Sequence, residues 1–135
     1  MFAGTGSITL ELLSRGCPLV VSVEKDRQHF SFISAVLRKL DDPAARPYCG
    51  DALRFVARCR EQFDLIFADP PYALPELHEL PDRVMQSSAL APDGIFVLEH
   101  GARHDFSARP DFLAHRAYGS VNFSFFRRPQ VADEA

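Results

Sequence analysis

Asp69-Pro70-Pro71-Tyr72 is the group of residues in this chain whose types and spacing most directly suggest chemistry. Proline fixes its own φ and restricts the residue before it. The Asp69 carboxylate and the Pro70 carbonyl are therefore held in set directions, and Tyr72 adds a flat face on which a base can stack. An exocyclic amine on a nucleobase is a poor nucleophile, because its lone pair is delocalised into the ring. Acceptors on its N–H groups favour the pyramidal amine and stabilise the positive charge that grows as an electrophile arrives. Asp69 and Pro70 are such acceptors, with the base turned out of its stack to reach them. Asp69, Pro70, Pro71 and Tyr72 are the candidate catalytic residues.

A second group lies at the front of the chain. Phe2-Ala3-Gly4-Thr5-Gly6 immediately precedes a helix-like segment. Glycines flanking a small polar residue let backbone pass close to a ligand, and the helix start behind them offers free N–H groups. Glu24 follows 18 residues after Gly6, at the end of a strand-like run. A carboxylate there can accept both hydroxyls of a ribose, as in dinucleotide folds. The pair points to an adenosine-containing cofactor. The dinucleotide pattern needs a third small residue where this chain has Thr9, so a cofactor without a pyrophosphate, S-adenosylmethionine, fits better than NAD.

These residues need a frame, and the sequence supplies one. Ser7–Arg15 reads as a helix stopped by Gly16, Leu19–Val23 as a buried strand, and Asp26–Leu40 as the clearest helix. Residues 41–47, with two prolines, read as a loop, and Tyr48-Cys49 as a short strand. Ala52–Cys59 reads as a helix capped by Asp51, Phe63–Ala68 as a buried strand, and Pro81–Ser88 as a helix with proline in its first turn. Gly94–Glu99 reads as a strand introduced by the turn Pro92-Asp93-Gly94. Leu113–Tyr118 and Val121–Phe126 flank Gly119-Ser120 and read as a hairpin with a type II′ turn. The alternation implies an α/β fold, parallel up to Glu99 and closed by an antiparallel hairpin. The Asp69 loop then sits at the C-terminal edge of the sheet, where open α/β sheets bind ligands.

The length of 135 residues suggests one domain, and 47% hydrophobic residues suffice for a core. That domain spans residues 1–128, followed at 129–135 by a disordered acidic tail. No apolar run is long enough for a bilayer and no signal peptide is legible, so the expected location is the cytoplasm. Cys17, Cys49 and Cys59 fit neither a zinc site nor a disulfide framework and read as reduced, mostly buried thiols. The five histidines lack ligand spacing, and no metal is expected. The net charge of −3 argues weakly against nucleic acid. Arg103, Arg109, Arg116, Arg127 and Arg128, gathered in the last third, leave the question open.

The motifs at residues 2–6, Val23-Glu24-Lys25-Asp26, Gly50-Asp51-Ala52, Asp69–Tyr72 and Tyr118-Gly119-Ser120-Val121 together resemble the RsmD family of class I methyltransferases. That family methylates guanine N2 of small-subunit ribosomal RNA. The resemblance runs from residue 2 to about 128 and implies a Rossmann-like fold. It implies that Gly4–Gly6 hold the methionine end of S-adenosylmethionine, Glu24 the ribose hydroxyls, and Asp51 the adenine amino group. The cofactor-binding set is then Phe2, Ala3, Gly4, Thr5, Gly6, Glu24, Lys25, Asp51, Ala52 and Asp69, with Asp69–Tyr72 holding the target amine. The partner implied is ribosomal RNA or a small-subunit particle, with no membrane. The oligomeric state is not legible. The family has a strand ahead of its glycine loop, so the first strand is expected to be missing here. Two other readings compete: an adenine-N6 DNA methyltransferase, sharing the Asp-Pro-Pro-Tyr logic, and a non-catalytic fragment.

Overall fold

A computed structural model describes residues 1–4 and 6–129. Thr5 and the acidic tail from residue 130 on lie outside the described residues. The chain divides into two compact units, Met1–Phe55 and Val56–Ala135.

The first unit carries helix α1 (Ser7–Ser14), strand β1 (Val20–Glu24), helix α2 (Arg27–Leu40), strand β2 (Ala45–Cys49) and the start of helix α3 (Ala52–Arg58). β1 and β2 pair in parallel, from Val20 opposite Ala45 to Glu24 opposite Cys49. β1 is a nearly continuous buried run, as a strand covered on both faces must be. α2 buries Ile33 and Leu37. Its start is fixed by the Asp26 carboxylate, which accepts the N–H groups of Gln28 and His29 at 2.9 and 3.0 Å. Asp26 itself titrates below the usual carboxylate range, because the His29 N–H stabilises its charged form. Gly16 follows α1 with φ of 82°, a left-handed stop that glycine adopts without strain.

β2 begins three residues earlier than the prolines suggest and takes in Pro47. β2 pairs with β1 alone among the described residues, so one side of the strand makes no ladder in which proline's missing N–H would be felt.

The second unit holds strand β3 (Phe63–Ala68), a 3₁₀ turn at Leu77–Glu79, helix α4 (Leu80–Gln86), and strands β4 (Leu90–His100), β5 (Phe112–Tyr118) and β6 (Val121–Phe126). The sheet order is β3-β4-β6-β5. β3 and β4 are parallel, whereas β6 is antiparallel to both β4 and β5. The expected hairpin is present, and it is its second strand that lies beside β4. Gly119 has φ of 62° while Ser120 is not in the left-handed region, the combination a type II′ turn requires.

β4 starts at Leu90 rather than Gly94. The register runs from Phe63 opposite Leu90 to Leu65 opposite Ile95, so Pro92-Asp93-Gly94 forms an irregularity inside the strand. A side chain at Gly94 would come within 3.0 Å of the Phe63 and Ala91 carbonyls. Below β4, Phe96 and Phe126 stack at 5.5 Å in a core completed by Leu77, Leu80, Val84 and Leu98. Arg128 ties the end of the sheet back to α4 and β4, donating to the carbonyls of Leu90, Met85, Ser87 and Ala91. Arg109 bridges Asp82 and Asp111. Two of the five C-terminal arginines are thus structural.

The thiols are not mostly buried: Cys49 is exposed, and Cys17 and Cys59 are half-buried. Cys49 follows from its place on the outer strand β2. Cys59 follows α3 and its thiol donates to the Glu61 carbonyl. No helix among the described residues is long and apolar enough to cross a membrane.

Candidate functional site

The first unit brings the glycine loop onto the end of β1. Glu24, the last residue of β1, is 91% buried, yet both its oxygens are engaged. Oε1 accepts the Gly4 N–H at 2.7 Å and Oε2 accepts the Asp26 N–H at 2.8 Å. The Ala3 N–H bonds the Val23 carbonyl at 3.0 Å, and the Gly50 N–H bonds the Glu24 carbonyl at 3.0 Å. Each Glu24 oxygen keeps a second lone pair for an incoming hydroxyl.

Gly4 and Gly6 have φ of 58° and 88°, and Phe2 shares the left-handed region at 56°. A side chain at Gly4 would meet nothing within 4 Å, whereas at Gly6 it would press on Ile33 at 3.2 Å. Gly4 therefore borders open space, and Gly6, just ahead of α1, packs against Ile33 of α2. No side chain caps α1, so its first N–H groups carry no such partner. Thr9, at the position of the third small residue, is buried and shares a 2.7 Å hydrogen bond with Ser22.

Lys25 is exposed and Ala52 buried. Asp51 caps α3 as expected, Oδ2 accepting the Arg54 N–H at 3.0 Å, which leaves Oδ1 for another donor. Phe2, Ala3, Gly4, Gly6, Glu24, Lys25, Asp51 and Ala52 thus share one unit, at the C-terminal ends of β1 and β2. An open space beside Gly4, an uncapped helix start and a strand-final acid fit an adenosine-bearing ligand.

The second unit holds the other group. Asp69 follows β3 directly and is exposed, Pro70 is buried, and Pro71 is exposed. The Pro71 carbonyl accepts the Leu74 N–H at 2.9 Å, closing a turn around Tyr72. Tyr72 is 39% exposed and donates its hydroxyl to Glu99 Oε2 at 3.4 Å. Burial raises its pKa, and the charges of Glu99 and Asp69 add to the shift.

Glu99 is the residue that sequence reasoning missed. It enters only because β3 and β4 run in parallel register, Ala68 beside Leu98, so the next residue of each strand is an acid. A hydrogen bond to Asp69, burial and the Asp69 charge together raise its pKa to about 7. Gly101 lies beside the ring: a side chain there would meet Tyr72 Cδ2 at 3.4 Å.

Behind this edge His100 is structural. His100 is buried and hydrogen-bonded to Ser124 Oγ at 2.7 Å and to the Gly101 carbonyl at 2.8 Å. No group of three or more potential metal ligands occurs among the described residues.

Comparison with known proteins bears on the whole arrangement. Ribosomal RNA large subunit methyltransferase K/L of Syntrophotalea carbinolica is 26% identical over 97% of this chain, which covers 21% of that protein. Ribosomal RNA small subunit methyltransferase D of Escherichia coli is 26% identical over 94% of this chain and 66% of its own length. The chain thus spans about a fifth of the one and about two thirds of the other. The solved structure of yhhF from Escherichia coli superposes with a TM-score of 0.82 at 23% identity, over 95% of this chain and 72% of that one. The fold is accordingly the Rossmann-like α/β fold of methyltransferases. The family described as Conserved hypothetical protein 95 matches residues 1–127, and the chain belongs to it.

Proposed function

We propose that the chain is the catalytic part of an S-adenosylmethionine-dependent methyltransferase. Its substrate is an exocyclic amine of a base in ribosomal RNA, namely guanine N2 in the small subunit, and it works in the cytoplasm. The observation that carries this reading is the Asp69–Tyr72 loop. A stiff turn at the C-terminal end of a parallel strand presents a carboxylate and a half-exposed ring together. The relatives named as ribosomal RNA methyltransferases support the substrate class.

S-adenosylmethionine, when bound, supplies an activated methyl group. Glu24 and the backbone of Phe2–Gly6 hold its ribose and methionine ends, Asp51 its adenine. Asp69 and the Pro70 carbonyl accept the amine N–H groups and stabilise the charge that develops on nitrogen. Tyr72 stacks on the base that has left its helix.

The test is tritium transfer from labelled S-adenosylmethionine to undermethylated small-subunit RNA or particles, followed by nucleoside analysis. Label on guanine N2 is expected. Label on adenine N6 of DNA instead would replace the substrate, and no transfer to any nucleic acid would refute the reading.

A further inference from the structure

Glu99 lies one register step beyond the Ala68–Leu98 pair, as Asp69 does on the neighbouring strand. It is half-buried, with Oε2 3.4 Å from the Tyr72 hydroxyl. Gly101, two residues on, leaves room for the Tyr72 ring. The charged and titratable groups around Glu99 are Asp69 and Tyr72; β6 places the uncharged Phe123 opposite it. Glu99 thus meets Tyr72 of the amine-holding loop and lies beside Asp69, the residue that follows β3.

We propose that Glu99 is a further working residue of this site, forming with Asp69 a two-carboxyl acceptor for the proton that a methylated amine gives up. This rests on the methyltransferase reading above. The amine lone pair forms the new N–C bond as the donor's C–S bond breaks, its electrons staying on sulfur. One N–H bond then breaks, its electrons remaining on nitrogen, and the proton passes to Asp69 and is shared with Glu99. Glu99 acts through Asp69 and is in that sense a positioning residue. Beside the Asp69 charge, the Glu99 carboxyl keeps its proton until the solution is near neutral, its pKa raised to about 7. The pair is an acceptor once that proton has left.

The wild-type rate of methyl transfer should rise about tenfold per pH unit below 7 and level off above it, as a single essential deprotonation requires. Glu99→Gln keeps the shape and a hydrogen-bonding partner for Asp69 and Tyr72 but cannot share the proton. It should lower the plateau about tenfold and abolish the limb below pH 7, with KM for S-adenosylmethionine unchanged. Carbon-13 NMR of the Glu99 carboxyl provides a readout independent of turnover: a midpoint near 7 in the wild type, falling in Asp69→Asn. A midpoint in the ordinary carboxylate range, or a limb that persists in Glu99→Gln, overturns the inference while leaving the methyltransferase reading intact. No methyl transfer by the wild type at any pH overturns both.

Discussion

The backbone N–H of Gly4 donates to Oε1 of Glu24 at 2.7 Å, tying the glycine loop to the end of β1 across twenty residues. The loop's shape and the acid's direction are therefore one feature. Removing the carboxylate removes two charge-assisted bonds, to Gly4 and Asp26, along with the acceptor proposed for the ribose. Glu24→Ala should weaken S-adenosylmethionine binding by at least ~1.5 kcal/mol, about the lower bound for a hydrogen bond to a charged group. Isothermal calorimetry measures it, and an unchanged affinity would remove Glu24 from the site.

The two loop glycines differ in what surrounds them. Gly6→Ala places a methyl against Ile33 at 3.2 Å in a left-handed conformation, whereas Gly4→Ala meets only the backbone penalty. That penalty is roughly 1–2 kcal/mol. Gly6→Ala should therefore lower the melting temperature more than Gly4→Ala, and Gly4→Ala should cost more in cofactor affinity than in stability. The reverse order in calorimetric melts would contradict the packing described.

Arg128 donates to four backbone carbonyls, the shortest bond being 2.6 Å to Leu90. Arg128→Met should cost about 2–3 kcal/mol, because half-buried carbonyls lose a charged partner. Denaturant melts would show a lower midpoint with the slope retained.

Burial pushes the His100 pKa below its ordinary 6.5, against the Gly101 carbonyl bond, which raises it. The unfolded chain then takes up this proton at a higher pH than the folded one. The stability His100 contributes is present above about 6.5 and lost as the pH falls through that value. Glu99 acts in the opposite sense: its folded pKa is raised from 4.5 to about 7, so its contribution is present in acid and lost as the pH rises through 7. Comparing wild type with His100→Asn cancels the Glu99 part. The variant should lose less melting temperature between pH 7.5 and 5.5 than the wild type does, and equal losses would count against the burial argument.

Much of this was legible in the sequence. Phe63–Ala68, apolar but for Asp64, runs up to a charged residue, and β3 has those bounds. Glu24 could be found because it ends such a run itself. Pro47 and Pro92-Asp93-Gly94 misled for one reason: a breaker is tolerated in an outer strand or an internal bulge, and local sequence does not distinguish these from a loop. Glu99 could not be found from spacing. It is 30 positions from Asp69, and only the parallel register of β3 and β4 makes the two neighbours. A search for acids ending adjacent parallel strands would have found it.

We propose that Asp69, which the resemblance also places in the cofactor-binding set, acts on the substrate amine rather than on the cofactor. The decisive measurement compares wild type with Asp69→Ala in two assays: S-adenosylmethionine binding by calorimetry, and tritium transfer to undermethylated small-subunit RNA. Cofactor affinity should stay within about twofold. The transfer rate should fall by roughly 10²–10³, the usual cost of losing one electrostatic stabiliser. Full transfer activity in Asp69→Ala, with label on guanine N2 as in the wild type, would contradict the account.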